Sequence, residues 1–233
     1  VTFLVRARAV NSEFRSIMSS KVHVPCRVAF LFIACVAAWC VAHGAGAGPI
    51  VVLGDSLSSG YGLSRDEESW VARLQQRLRG EGYGYEVVNA SISGDTTSGG
   101  LARLPALLEA HSPSIVILEL GGNDGLRGQP LASLRGNLLR MIELVLASGA
   151  TPVLAGMQIP PNYGPAYAGE FARTYPDLAA QFEIPLVGFL LEDVALNAEL
   201  MQPDGIHPNA GGNAIMLDNV WLVLTELLQA EET

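Results

Sequence analysis

Short apolar runs alternate along the chain with longer segments in which apolar residues recur every three or four positions. The short runs, rich in branched aliphatic side chains, predict buried strands, and the longer segments predict amphipathic helices. The predicted strands are Ile50–Leu53, Tyr85–Ser91, Ser114–Leu120, Thr151–Met157 and Ile184–Phe189. The predicted helices are Trp70–Arg79, Leu101–Ala110, Leu131–Ala147, Gly169–Phe182 and Asn213–Leu228.

This alternation predicts the fold class. Near-continuous apolar strands separated by helices are typical of a parallel sheet that is covered on both faces. Five such units predict an α/β fold, namely a flavodoxin-like three-layer α/β/α sandwich with a five-stranded parallel sheet. Ligands of such sheets bind at the carboxyl ends of the strands. The polar, glycine-rich segments of this chain fall there: "GDSLSSG", "SISGDTTSGG", "GGNDGLRG", "QIPPNYG" and "DGIHPN".

The first 47 residues predict a leader rather than a part of this domain. A basic stretch ending at Arg27 precedes an apolar run, residues 28–41, and Ala45 and Ala47 follow at the spacing of a signal-peptidase site. We therefore expect a signal peptide over residues 1–47 and a periplasmic or secreted domain after it is cleaved.

Two further expectations concern the ends of this leader. Met18 is a second candidate start, which would make residues 1–17 a mis-called start of the gene. The domain itself is expected over residues 48–233. An uncleaved N-terminal anchor is the alternative, although the apolar run is short for a bilayer span.

Composition from Gly48 onward narrows the chemistry. All three cysteines and the only lysine precede Gly48, so the predicted domain has no thiol for catalysis, for a disulfide or for a thiolate metal site. Nine arginines oppose 22 acidic residues there, a formal net charge of −13. Such a charge should repel nucleic acid and anionic membrane surfaces. We expect no nucleic-acid partner, no stable membrane span in the mature form, no cofactor or metal, and a monomer.

A serine becomes a nucleophile when a neighbouring base takes its proton, and histidine is the usual base. His111 ends a predicted helix at the far edge of the sheet, where the helix dipole favours it. His207 follows Asp204 by three residues, and a tight turn at that spacing can bring the carboxylate to the imidazole Nδ1. An ordinary turn capped by Asp204 is the alternative interpretation.

Ser56 is the candidate nucleophile because it follows the first predicted strand, where a hydroxyl is exposed at the rim of the sheet. Ser58, Ser59 and Ser64 are alternatives further along the same loop. The surrounding motif is not Gly-x-Ser-x-Gly, so the nucleophile elbow of α/β-hydrolases does not apply.

A negatively charged oxygen that develops during acyl transfer needs hydrogen-bond donors. The amide of Gly94, after the second strand, and the side chain of Asn123, after the third, are candidates. Each could instead be an ordinary turn residue. Asp55 and Asp124 flank these positions, and we interpret them as hydrogen-bonding supports for their loops.

Taken together, these segments resemble the SGNH (GDSL-type) hydrolase family. The blocks "GDSLS", "NASISGDT", "GGND" and "DGIHPN" occur in the order of that family. The segments "VVNASISGDT", "GLARLPALL" and "PPNYG" extend the resemblance, over about residues 49–228, to the thioesterase I/arylesterase/lysophospholipase subfamily of Gram-negative bacteria. The resemblance implies an SGNH hydrolase fold, Ser56 as nucleophile, His207 as base and Asp204 as its orienting group. It also implies an oxyanion hole formed by Ser56, Gly94 and Asn123.

The resemblance further implies acyl substrates, either fatty acyl esters, thioesters or lysophospholipids. An exported enzyme meets little acyl-CoA, so we expect a small-molecule acyl ester or a lysophospholipid. Apolar side chains near the rim could line an acyl groove, with ordinary packing under loops as the alternative: Leu126, Leu131, Ile159, Pro160, Tyr163 and Tyr167. Gln129 follows "GLRG" directly, where members of the subfamily carry an extra residue, so the shape of this substrate-facing loop should differ.

Other functions fit part of the sequence. A carbohydrate deacetylase of the same superfamily would use the same catalytic residues on short acyl groups. A flavodoxin-like binding protein would hold a phosphate in "GDSLSSG", but that loop has no Lys or Arg and the chain has no Gly-x-x-x-x-Gly-Lys motif. A metal site at Asp204 and His207 would have too few ligands.

Overall fold

The computed structural model describes residues 48–230, which form a five-stranded parallel sheet with helices on both faces. The strands are β1 Ile50–Gly54, β2 Val87–Asn89, β3 Ile115–Glu119, β4 Thr151–Ala155 and β5 Leu186–Val187. Their spatial order is β2-β1-β3-β4-β5, and every neighbouring pair is parallel. The predicted flavodoxin-like fold with a five-stranded parallel sheet is confirmed. The strand order changes direction between β1 and β3, where such sheets bind ligands.

Seven α-helices lie within residues 48–230. They are α1 Ser56–Ser59, α2 Trp70–Gly80, α3 Thr97–His111, α4 Gly122–Leu126, α5 Leu131–Ala147, α6 Pro165–Phe182 and α7 Ala210–Ala230. Short 3₁₀ turns lie at Asp66–Glu68, Pro161–Tyr163 and Ala198–Leu200.

The sheet is buried on both faces, which explains why its strands are apolar without alternation. Ile50 and Val52 of β1 point to one side, where they join a core formed with α2 and α7. Val51 and Leu53 point to the other side, where they join a core formed with α3, α5 and α6. Successive side chains of a strand face opposite ways, so one apolar run supplies both cores.

Four of the five strands are shorter than the sequence predicts, and β2 and β5 differ most from the prediction. At the start of β2, the side chain of Gln75 donates to the Tyr85 carbonyl at 3.2 Å and accepts from the Val87 N–H at 2.8 Å. These backbone groups are therefore not available to extend β2. β5 has two residues because Pro185 before it has no N–H and Gly188 follows it.

Some helices begin earlier than predicted. α3 starts at Thr97 rather than Leu101, although Gly99 and Gly100 are poor helix formers, because the Thr96 hydroxyl caps it by accepting from the Gly99 N–H at 3.3 Å. α6 and α7 likewise start at Pro165 and Ala210. The one-turn helices α1 and α4 are too short to show a periodic pattern, and the sequence did not predict them.

The predictions for residues 1–47 lie outside the described residues. Within residues 48–230, none of the helices combines the length and the apolar character needed to cross a membrane.

Candidate active site

Ser56 is the first residue of α1 and stands where the chain leaves β1. Asp55 caps this turn, because its Oδ1 accepts from the Leu57 N–H at 3.1 Å and its carbonyl accepts from the Ser59 N–H at 3.0 Å. The helix ends at Gly60, whose φ of 78° lies in the left-handed region that glycine tolerates. This single turn carries the Ser56 hydroxyl from the buried sheet to the rim.

Asp204 and His207 share a tight turn between β5 and α7. Asp204 Oδ1 accepts from the N–H groups of Ile206 and His207 at 2.9 and 3.0 Å, and Asp204 Oδ2 lies 2.6 Å from His207 Nδ1. The Gln202 N–H closes the turn by donating to the His207 carbonyl at 2.7 Å. The local spacing of three residues therefore produces the carboxylate–imidazole contact that the sequence predicts.

The two turns meet at the carboxyl edge of the sheet, where His207 Nε2 lies 2.9 Å from Ser56 Oγ. Hydrogen bonds from the His207 N–H, the His207 ring and the Ile206 N–H lower the pKa of Asp204 to about 2. Asp204 is thus ionised at neutral pH, and its carboxylate favours the His207 tautomer that carries the ring hydrogen on Nδ1. In this tautomer Nε2 is free to accept the Ser56 proton. The Tyr61 ring packs on the imidazole, with 4.6 Å between centroids.

Both candidate oxyanion donors lie on segments that form hydrogen bonds with the Ser56 turn. Asn123 belongs to α4, and its Nδ2 donates to Asp55 Oδ2 at 3.0 Å. The loop of Gly94 joins the turn through the hydroxyls of Ser59 and Ser93, which are 2.7 Å apart. The structure thus brings the loops carrying Gly94 and Asn123 to the edge where Ser56 lies. His111, by contrast, ends α3 just before β3 begins, at the opposite edge.

Comparison with known proteins identifies relatives over most of the described chain. A family model described as the GDSL-like lipase/acylhydrolase family matches residues 52–215. The chain belongs to this family. Esterase TesA of Pseudomonas aeruginosa is 50% identical over 200 residues, covering 86% of this chain and 99% of the relative. Thioesterase 1/protease 1/lysophospholipase L1 of Escherichia coli K12 is 45% identical over 174 residues, covering 75% of this chain and 82% of the relative.

Solved structures agree with this membership. A crystal structure of TesA aligns with a TM-score of 0.75 at 52% identity, covering 77% of this chain and 99% of that chain. The resemblance drawn from the sequence motifs is therefore confirmed, and the protein is a hydrolase. The alternative of a flavodoxin-like binding protein loses its support, because the chain belongs to a family of lipases and acylhydrolases.

The apolar side chains predicted to line a groove divide into two groups. Ile159 is buried in the core, and Leu126, Leu131 and Tyr167 are half-buried against the same core, which favours a packing role for these four side chains. Pro160 and Tyr163 are exposed, and they stay candidates for substrate contact. A cavity of about 210 Å³ at the ends of β4 and β5 is lined by other residues, including Met157, Pro176 and Phe189.

The loop at Gln129, where the sequence differs from the subfamily, is held by a hydrogen bond. The Tyr167 hydroxyl donates to the Gln129 carbonyl at 2.9 Å, which ties the segment after α4 to α6. Asp124 is buried and accepts from the Thr97 N–H at 2.9 Å and from its hydroxyl at 2.6 Å. Asp124 and Asp55 therefore make the loop-supporting hydrogen bonds expected of them.

Sequence reasoning missed Glu119, the last residue of β3. Its side chain is fully buried, its Oε2 accepts from the Asp55 N–H at 3.2 Å and from the Ser58 hydroxyl, and its Oε1 has no hydrogen-bond partner among residues 48–230. Burial, and to a smaller extent the charge of Asp55, raises the pKa of Glu119 well above its usual range. Burial also raises the pKa of Asp55 to about 6. A single acid in the apolar run "SIVILEL" was the available sequence signal.

No three His, Cys, Asp or Glu side chains come together as a possible metal site in the part of the chain that the structure describes.

Proposed function

We propose that this hydrolase is a serine esterase that cleaves acyl esters and thioesters through a covalent acyl-enzyme. Ser56 Oγ attacks the acyl carbonyl carbon while His207 Nε2 accepts the hydroxyl proton. Asp204 keeps His207 oriented and stabilises the imidazolium that forms. The observation that supports these roles is the hydrogen-bonded series from Asp204 Oδ2 through His207 to Ser56 Oγ, with distances of 2.6 and 2.9 Å.

The proposed reaction has two halves. The attack produces a tetrahedral intermediate whose oxyanion accepts hydrogen bonds from the Ser56 and Gly94 N–H groups and from Asn123 Nδ2. His207 then gives its proton to the leaving alcohol or thiol, and the acyl group stays on Ser56. Water, deprotonated by His207, attacks the acyl-enzyme and releases the carboxylic acid.

We propose fatty acyl esters or lysophospholipids as the substrate class. One relative is named an esterase and another a thioesterase and lysophospholipase. Tyr61, beside the imidazole of His207, is 53% exposed. Ile206, in the turn from Asp204 to His207 (the histidine turn), is 49% exposed. Apolar side chains at that position favour an apolar acyl group.

We also propose that the active enzyme is a periplasmic monomer that begins near Gly48. The pattern of a basic stretch, an apolar run and an Ala-x-Ala site before Gly48 supports this location.

The test is hydrolysis of p-nitrophenyl esters from acetate to palmitate by the wild type and by Ser56→Ala. The substitution should lower kcat by at least about 10⁴-fold, because it removes the nucleophile. Ser64→Ala, at an exposed serine further along the same segment, is the matched control and should leave kcat unchanged. A rate that survives in Ser56→Ala would exclude Ser56 as the nucleophile.

The same ester series separates the two substrate classes. A maximum at medium or long chains supports the fatty acyl substrate. A maximum at acetate alone would favour the short-acyl carbohydrate deacetylase instead.

A further inference from the structure

We propose that Arg127 is a positioning residue of the oxyanion hole, and that its guanidinium holds Gly94 and Asn123 so that their N–H groups face the reacting oxygen. This inference rests on the proposed function, because it concerns the donors named there. Arg127 is exposed and directly follows α4. Its side chain reaches from the loop after β3 to the loop after β2.

One guanidinium nitrogen contacts both residues that supply the donors. Arg127 Nη2 donates to the Gly94 carbonyl at 3.1 Å and lies 3.5 Å from Asn123 Oδ1. Gly94 is exposed and has a φ of 80°. The carbonyl and the N–H of Gly94 belong to adjacent peptide groups that join at its Cα, so a hydrogen bond to the carbonyl removes part of the conformational freedom that glycine gives the N–H.

The side-chain amide of Asn123 is held at both ends by groups of opposite charge. Its Oδ1 faces the guanidinium of Arg127, and its Nδ2 donates to the carboxylate of Asp55 at 3.0 Å. A flipped amide would place Nδ2 against a cationic donor and Oδ1 against an anionic acceptor. Because Nδ2 carries two hydrogens, the observed orientation leaves one of them for the oxyanion.

The charge of Arg127 acts in the same direction as its geometry. Within residues 48–230, the ion pairs of 4.0 Å or less do not include Arg127. Its positive charge is therefore not neutralised by a carboxylate in contact with it. A fixed positive charge beside the hole stabilises the negative charge that develops on the oxygen in the transition state.

The first experiment is Arg127→Met, assayed with a neutral p-nitrophenyl ester. We expect kcat to fall about tenfold, which is less than the ~10²–10³-fold loss for removal of a whole donor, with KM within about twofold of the wild type. Arg127→Lys should lose an intermediate factor, because it keeps the charge but lacks the planar fork. Arg140→Met, at an exposed arginine paired with Glu143 on α5, is the control and should keep its kcat.

A double-mutant cycle tests whether Arg127 acts through Asn123. In an Asn123→Ala background, Arg127→Met should lower kcat by a clearly smaller factor than in the wild type, because one group that it positions is absent. Equal factors in both backgrounds would overturn the proposal. So would an unchanged kcat, and so would a raised KM at constant kcat, which would mark a substrate-binding residue.

These outcomes are separable from the fate of the proposed function. Activity in Ser56→Ala would remove the proposed function itself. Wild-type kcat in the Arg127 variants, with Ser56→Ala inactive, would remove only the role of Arg127. Melting temperatures of the Arg127 and Arg140 variants should both match the wild type, because both side chains are exposed.

Discussion

The carboxyl groups of Asp55 and Glu119 lie together behind the turn that carries Ser56. Both are buried, and two neighbouring carboxylates in a low-dielectric site cannot both ionise without a large cost. Asp55 accepts hydrogen bonds from Leu57 and Asn123 on its two oxygens, whereas only one oxygen of Glu119 has partners. We therefore assign the charge at neutral pH to Asp55 and the proton to Glu119. Asp55 then orients Asn123, and Glu119 holds the backbone beneath Ser56.

At this scale, Glu119→Gln should change how stability depends on pH. The folded-state pKa of Glu119 is raised, so its contribution to stability is complete below the unfolded pKa of about 4.3 and is lost as pH rises through the folded pKa. Glutamine cannot ionise. The free energy of unfolding of the variant should therefore gain on the wild type as pH rises, by at most about 1.4 kcal/mol per pH unit.

Denaturant unfolding at several pH values from about 5 to about 9 measures this difference. Glu143→Gln, at an exposed glutamate on α5, should show no such trend. A difference between Glu119→Gln and the wild type that stays constant across the range would show that Glu119 has the same ionisation in the folded and unfolded states, so that its folded-state pKa is not raised.

At the scale of elements, α7 connects one core to the histidine turn. Its buried residues Met216, Val220 and Leu224 recur every four positions and pack with α2 against one face of the sheet. Near its start, Asn213 accepts from the Trp70 N–H at 3.0 Å and donates to the Pro208 carbonyl at 3.3 Å. The packing of α7 thereby fixes the residue that follows His207.

Two leucines of α7 offer a matched test of this packing. Leu224 is fully buried and Leu222 is 73% exposed. Leu224→Ala should lower the free energy of unfolding by about 2–5 kcal/mol, because it leaves a cavity between helix and sheet. Leu222→Ala should change it by less than about 0.5 kcal/mol. Urea denaturation of both variants measures the two values, and equal losses would contradict the described burial.

At the scale of the whole molecule, the proposed leader and the domain that follows it differ in composition. The cysteines and the lysine precede Gly48, whereas the domain after it is acidic and free of thiols. Residues 48–233 hold no cysteine and therefore form no disulfide, so the stability of this domain must come from its two apolar cores.

Expression of the full chain in a Gram-negative bacterium should therefore give a periplasmic enzyme whose N-terminus lies near Gly48. Thiol titration of the denatured product should detect no cysteine, because Cys26, Cys35 and Cys40 leave with the leader. Mass spectrometry of the purified protein locates the cleavage site. Recovery from the membrane fraction with all three thiols present would instead support the uncleaved anchor.

Local chemistry is what the sequence by itself determined about this protein. Apolar runs buried on both faces indicated the parallel sheet, and the spacing of Asp204 and His207 indicated their contact, because both features depend on neighbours a few residues apart. The strand bounds were less accurate, since partners from elsewhere decide them, as the side chain of Gln75 does beside β2.

Only the tertiary structure decided how distant groups meet. Ser56 and His207 are 151 positions apart, and the pairing of Gly54 with Glu119 in the sheet places the buried acid under the serine turn. The contacts of Arg127 with Gly94 and Asn123 likewise depend on the strand order. This order places the loop after β2 and the loop after β3 on the two sides of the β1 end. Side-chain contacts across such separations follow from strand order and register, which no local pattern encodes.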